Sequence, residues 1–203
     1  SAIFLIIYIH MFTGIYYGSY KKGREIIWLT GMALFGIFSA EAFSGYMLPW
    51  GQMSYWAAQV ITNLFGGIPV IGEALVIWIR GDFLVADATL TRFFMLHVLL
   101  LPLAIILLIA VHFYALRFPH VNNQDAEEFD FDKEAQKYLD GKTKESKVVP
   151  FWPVFLSKDF FVVGVFLTIF FYLVCYHYDF AMDPINFEPA NNMKTPAHIY
   201  PEW

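Results

Sequence analysis

Long apolar runs separated by polar punctuation set the pattern of this chain. The first covers about 1–19, holds His10 and stops at Lys21-Lys22-Gly23-Arg24. The second covers about 26–48. The third, about 93–116, carries His97 and His112, and the fourth, about 159–178, opens at Lys158-Asp159. A helix needs about 20 apolar residues to cross the hydrocarbon of a bilayer, and these runs fit that length. Residues 52–75 read differently. Gln52, Ser54, Gln59 and Asn63 interrupt them and Gly66-Gly67-Ile68-Pro69 breaks them, which predicts short helices lying at an interface. Arg80, Asp82, Asp87 and Arg92 read as a polar loop. Residues 117–158 are soluble in character, with an acidic block from Asp125 to Glu134 that reads as a solvated loop. Residues 179–203 are loop-like, punctuated by Asp183-Pro184, Glu188-Pro189, Thr195-Pro196 and Pro201. The expected fold class is all-α: a transmembrane helical bundle of about four spans, with interfacial helices after the second. The expected divisions are 1–116, 117–158 and 159–203.

Composition agrees. Of 203 residues, 58% are hydrophobic, 20% aromatic and only 15% charged, with a mean hydropathy of +0.52. A soluble domain is about 45–50% apolar. The net charge of −5 comes mostly from one loop and gives no basis for a nucleic-acid partner. The single cysteine, Cys175, excludes an internal disulfide framework and a CxxCH haem attachment. Its ordinary role is apolar filling in a helix.

Loops alternate sides across four spans. One side (21–25 and 117–158) holds ten Lys and Arg; the other (49–92 and 179–203) holds three. The positive-inside rule places the first side in the cytoplasm. Residues 45–54 and the terminal Pro201-Glu202-Trp203 then share the outer face. Ser1 stands within an apolar run and no signal peptide precedes it, so the chain reads as an internal fragment.

The candidate chemistry sits on these elements. Pro49 is a natural helix stop, and Tyr46 and Trp50 are aromatics of the type that gather where membrane meets water. His97 and His112 are fifteen apart on one apolar helix, roughly on one stripe and about 22 Å apart along the axis. His10 lies at the cytoplasmic end of its own span, level with His112. Neutral imidazole is a strong axial ligand for haem iron, so His10 and His112 read as a pair holding one b-type haem. His97 reads as a ligand of a second, with a partner expected before Ser1. A lone intramembrane His is often only a packing residue. Three at matching depths on two helices weigh against that, because ionisable groups in lipid are costly. Gly31 and Gly45, fourteen apart, come close to this period and let a flat ring approach the backbone, although glycines also serve helix packing. Glu41, one turn before Gly45, is an acid inside an apolar run, suited to a proton or cofactor role or to reaching water near the helix end. Arg80 and Arg92 suit haem propionates or interfacial anchoring. Glu202 suits proton acceptance at the outer face, though an isolated tripeptide is no signal. His120, His177 and His198 read as loop or interfacial residues.

His10 with Gly14-Ile15-Tyr16-Tyr17-Gly18-Ser19-Tyr20, GYMLPWGQMSYW at 45–56, ATLTRFFMLH at 88–97, His112, Lys158-Asp159 and TPAHIYPEW at 195–203 together resemble cytochrome b of the respiratory bc complexes. The resemblance runs along nearly the whole chain. It implies the second (partial) to fifth helices and following loop of an eight-helix protein with two b haems and two quinone sites. On it, 1–116 is part of the di-haem bundle, 117–158 a cytoplasmic loop and 159–203 the start of the C-terminal region. His97 matches a ligand of the low-potential, outer haem, and His10 and His112 match those of the high-potential, inner haem. Gly31 and Gly45 match glycines against which the haem rings pack. Tyr46, Pro49, Trp50, Gly51, Pro201 and Glu202 match the quinol-oxidation pocket, and Asp159 matches an acid at the quinone-reduction site.

The chain departs from mitochondrial relatives at several points. The fifteen-residue histidine spacing is one longer and resembles the photosynthetic bf type. Arg117 stands where those relatives carry a quinone-site His, Thr13 where many have a propionate-binding Arg, and Ala57, beside the outer pocket, where many have Gly. His112 and Pro-Glu-Trp lie on one chain, unlike the split bf type. The flavour is similar to campylobacterial cytochrome b, which points to menaquinone and a bacterial inner membrane. The implied partners are a Rieske iron–sulfur protein and a c-type cytochrome in a homodimeric quinol–cytochrome c oxidoreductase, with the fragment inactive by itself. The alternatives are a di-haem membrane anchor of a hydrogenase or formate dehydrogenase, or a haem-free channel or transporter subunit.

Overall fold

The computed structural model describes residues 2–21, 23–119, 130–180 and 182–199. Regular structure among them is helical, apart from one isolated antiparallel bridge between Gly51 and Pro189. The helices are α1 (Ala2–Tyr16), α2 (Glu25–Met47), α3 (Gln52–Gly66), α4 (Gly72–Arg80), α5 (Asp87–Leu116), α6 (Phe131–Leu139) and α7 (Leu156–Tyr176). A single 3-10 turn, Pro184–Phe187, follows. Three of the helical stretches are long and apolar enough to cross a membrane: α2, α5 and Phe151–Tyr176, which contains α7; α1 is a shorter apolar helix. Their side chains face outward, Leu107 at 67% and Phe161 at 72% exposure. Left in water, each such side chain would forgo about 1.5–3 kcal/mol of burial. Lipid or further helices remove that cost.

The chain forms two compact units, residues 1–121 with 182–203, and residues 122–181. In the first, α2 packs along α5, α3 on α4, and the 184–187 turn on α3. The α3 face that turns inward carries Gln52, Tyr55, Ala58 and Thr62, a helical stripe, and α4 buries Gly72, Val76 and Arg80 at intervals of four. These are the short helices expected after the second span.

Two boundaries differ from the sequence reading. The third span starts at Asp87, not near 93, so Asp87 and Arg92 are helical rather than part of a loop. Thr89 accepts the Ala86 amide at 3.2 Å, and Asp87 places negative charge in the first turn, where the helix dipole favours it. Arg80 ends α4, so the loop is only 81–86. Within α5, Leu96–Leu100 form a wider π turn, in which the Leu101 amide reaches back to the Leu96 carbonyl. Pro102 follows at once. It has no amide for the Val98 carbonyl, and its ring crowds that position, so a wider turn relieves the conflict.

In the second unit the polar stretch expected as a solvated loop contains a capped helix, α6. The Asp130 carboxylate accepts from the amides of Asp132 and Lys133 at 3.0 and 3.2 Å. Glu134 is buried. It accepts from Lys137 Nζ at 2.6 Å and from the Lys147 amide at 2.7 Å. The Lys137 hydrogen bond, then that of Lys147, hold its carboxyl below the ordinary 4.5, against the opposing effect of burial. A carboxyl with a depressed pKa stabilises the fold above its unfolded value, and that stability is lost as pH falls through the lower folded value. Hydrogen exchange at the Lys147 amide, corrected for intrinsic rate, is therefore expected to be protected at about pH 6 and to lose protection below about pH 4.5. Glu134→Gln is expected to exchange fast at both. Equal protection in the two proteins would remove the role of the carboxylate.

Candidate functional site

The site is built on the α2–α5 contact. The helices run antiparallel, so that Gly31 lies opposite His112 and Gly45 opposite His97. A Cβ on Gly31 would stand 3.3 Å from His112 Cε1. A Cβ on Gly45 would overlap His97 Cε1 and stand 2.9 and 3.0 Å from its two ring nitrogens. Only glycine lets the imidazoles approach this closely. The glycines are fourteen apart and the histidines fifteen. One residue turns a helix by about 100°, which would spoil the match. The π turn at the His97 end takes up the additional residue and restores the register.

Each imidazole has its Nδ1 engaged by the residues flanking these glycines. Thr30 Oγ1 lies 2.9 Å from His112 Nδ1. His97 Nδ1 lies 3.0 Å from the Glu41 carbonyl oxygen, 3.2 Å from Glu41 Oε1 and 3.4 Å from Ser44 Oγ. Nε2 of each ring is thereby the nitrogen left for a ligand. His10, on α1, brings its ring centre to 6.4 Å from that of His112, with the planes at 75°. Among the described residues no three His, Cys, Asp or Glu side chains converge as they would on a bare metal ion. The arrangement suits a group held axially by one or two imidazoles.

Beyond the His97 end of α2 lies the second part of the site. The helix stops at Met47, ahead of Pro49, as that proline predicts. Trp50 takes a left-handed conformation, φ 53°, costing about 1–3 kcal/mol for a bulky residue. It is held there because its carbonyl accepts from the Ala190 amide at 3.2 Å and its own amide donates to Met47 at 3.2 Å. Gln52, almost wholly buried, accepts from the Asn191 amide at 2.7 Å, donates to the Lys194 carbonyl at 2.9 Å and gives its amide to Glu188 at 2.9 Å. The Tyr46 hydroxyl donates to Asn186 Oδ1 at 2.9 Å. The 45–56 stretch and the 183–194 loop thus form one wall, as expected of two segments on one side of the membrane. An apolar cluster of Met47, Tyr55, Ala58, Val85 and Phe93, with Trp50 and Leu96 against it, joins this wall to the turn that carries His97.

The other candidates fall outside these clusters. Arg80 is buried and spends its guanidinium on α3 and its own loop: on Thr62 Oγ1 and Asn63 Oδ1 at 2.9 Å, on the Gln59 carbonyl at 3.4 Å and on Phe83 at 3.2 Å. Desolvation lowers its pKa from the ordinary arginine value, with Tyr55 opposing. Arg92 caps the Trp78 carbonyl of α4. Ala57 is half-buried on α3, Pro49 and Arg117 are exposed, and Asp159 is exposed in the first turn of α7. His177 meets Tyr172 at 3.2 Å, and His198 is exposed. Pro201, Glu202, Trp203, His120 and Lys22 lie outside the described residues. Sequence reasoning missed Thr30 and Ser44, although each immediately precedes a site glycine and they repeat at the same interval of fourteen. It also missed Gln52 and Asn186 as partners across about 140 residues, for which no local pattern exists.

The chain is 45% identical over 206 residues to cytochrome b of Allochromatium vinosum, covering 100% of this chain and 49% of that protein. It is 46% identical to cytochrome b of Rickettsia typhi, covering 100% of this chain and 48% of the relative. A solved structure titled "Hyperthermophilic respiratory Complex III" superposes with a TM-score of 0.82 at 40% identity, over 98% of this chain and 50% of that one. The chain therefore spans about half the length of the relatives it matches, and with them it is a multi-pass membrane protein. The family described as "Cytochrome b(N-terminal)/b6/petB" matches residues 1–192, so the chain belongs to the cytochrome b N-terminal/b6 family.

Proposed function

We propose that this chain is the haem-bearing part of a quinol-oxidising electron-transfer subunit in a respiratory bc complex of a bacterial inner membrane. The observation that supports this most directly is the His10–His112 geometry. A metal–imidazole bond of about 2.0–2.1 Å, plus about 1.1 Å from each nitrogen to its ring centre, gives roughly 6.3 Å between two axial rings. The ring centres lie 6.4 Å apart. The residues present therefore fit a b-type haem. His10 and His112 would hold the inner one, and His97 would hold the outer one together with a ligand not among the described residues. When bound, the two haems would supply one-electron carriers near two histidines, His97 and His112, that lie about 22 Å apart along α5.

The chain's own residues do the rest. At the outer face, Trp50 and Gly51 line a wall for the quinol ring, with Pro49, Ala57 and Pro201 as further candidate contacts, and Tyr46, whose hydroxyl donates to Asn186, aligns a quinol hydroxyl. Glu202 accepts a proton from that hydroxyl. Oxidation of one quinol releases two protons outside and two electrons. One electron leaves to a Rieske iron–sulfur partner and on to a c-type cytochrome, and the other crosses inward to a quinone. Arg117, beyond His112, offers a hydrogen bond to a quinone carbonyl; Asp159, in the other unit, is proposed separately as an acid for proton uptake on the inner side. Menaquinone is the proposed quinone and a homodimeric complex the proposed assembly. The test is a reduced-minus-oxidised visible spectrum of the intact complex with menaquinol-driven reduction of cytochrome c. Two b-type centres and quinol-dependent turnover are expected, and the absence of b-type bands would sink the reading.

A further inference from the structure

His97 and His112 stand alike against a helix glycine, but their Nδ1 atoms meet different chemistry. At His112 the neighbours are neutral: the Thr30 hydroxyl, 2.9 Å away, and the Ile27 backbone. At His97 the partner is Glu41, whose carboxylate Oε1 lies 3.2 Å from Nδ1 and whose main-chain oxygen lies 3.0 Å away. The other carboxylate oxygen, Oε2, is buried with no hydrogen-bond partner among the described residues. An acid inside a membrane-spanning helix is costly unless something pairs with it, and His97 is the group that does so here.

We propose that Glu41 is a positioning residue for His97 that lowers the reduction potential of the outer haem relative to the inner one. The inference rests on the reading that His97 holds a haem. A carboxylate accepting the Nδ1–H fixes the ring's tautomer and orientation and makes Nε2 a stronger donor. It also places negative charge near the iron. The oxidised iron carries one more positive charge than the reduced, so both effects favour the oxidised form and lower the potential. Thr30 supplies no charge at His112. The asymmetry therefore drives an electron delivered at the outer haem toward the inner one.

Midpoint potentials of the two haems, titrated spectroscopically in the intact complex, test this. In Glu41→Gln the side-chain oxygen still accepts the Nδ1–H but the charge is gone. Full haem content is expected, with the outer centre raised by about a tenfold change in its reduction equilibrium, about 59 mV for one electron, and the inner centre unmoved. The raised centre is expected to be the one that survives in His112→Ala. Unchanged potentials in Glu41→Gln at full haem content overturn the proposal and leave the ligand reading intact. If Glu41→Gln takes up no outer haem, Glu41→Asp, which keeps the charge, is expected to hold a low-potential one, and loss of haem from both overturns the proposal. Absence of an outer haem from the unsubstituted complex overturns the ligand reading together with it.

Discussion

His112→Ala is expected to lower the b-type haem content of the intact complex by about half, leaving the outer centre in place. His10 alone would then face the inner haem, and the other helical imidazole of the site, His97, lies about 22 Å away along α5. On the proposed function, quinol is expected still to reduce the outer centre, with no onward carrier for the electron, and turnover of the complex is expected to stop. Haem extracted and quantified against protein, together with the reduction kinetics of the remaining centre, checks both statements. Thr30→Val makes a graded companion. It keeps the ligand but removes the hydroxyl 2.9 Å from Nδ1. Loss of such an orienting partner typically costs about 10–100-fold in affinity, so this variant is expected to lose inner haem on dilution or mild detergent washing rather than outright. Unchanged haem content in His112→Ala would refute the ligand assignment.

Gly45→Ala is expected to disable the outer centre, and more severely than Gly31→Ala disables the inner one. The reason is steric and unequal. At 45 the added methyl would overlap His97 Cε1, with both ring nitrogens at or within 3.0 Å, whereas at 31 the nearest ring atom is 3.3 Å away. His97 has little room to retreat. It sits in the π turn, and its neighbours Phe93 and Leu96 are packed into the cluster with Met47 and Tyr55. His112 needs only a few tenths of an ångström. The expected result is loss of most of the outer haem in Gly45→Ala and retention of most of the inner haem in Gly31→Ala, read from the two centres' separate redox transitions. The reverse order would show that the approach of imidazole to glycine is not what these positions are kept small for.

Much of the architecture was legible in one dimension because it depends on composition and local punctuation. The apolar runs mark the spans, since about 20 apolar residues suffice to cross a bilayer whatever surrounds them. Pro49 ends α2 where it stands because a missing amide is a property of the residue itself. The histidines and the two glycines stand out by nearly equal spacings, fifteen and fourteen. The acidic block Asp125–Glu134 reads as a solvated loop, but from Phe131 it is helical, because the Asp130 side-chain cap outweighs the polar composition. The start of α5 was misjudged because charged residues in a first turn look, in sequence, like a loop.

What the tertiary structure decided is how those pieces meet. Counting residues put His97 and His112 one position out of step with Gly45 and Gly31; a single π turn next to Pro102 brings them into register. No count could show that, because helical phase depends on which carbonyl each amide finds. The partners Tyr46–Asn186 and Gln52–Lys194 are about 140 residues apart, and chain spacing carries no information about such contacts. The sequence by itself determined an all-helical membrane protein with three histidines at two depths. Only the folded chain decided that one of them faces a hydroxyl and another a carboxylate, because Nδ1 partners are chosen by how two helices pack and not by where residues fall along either one.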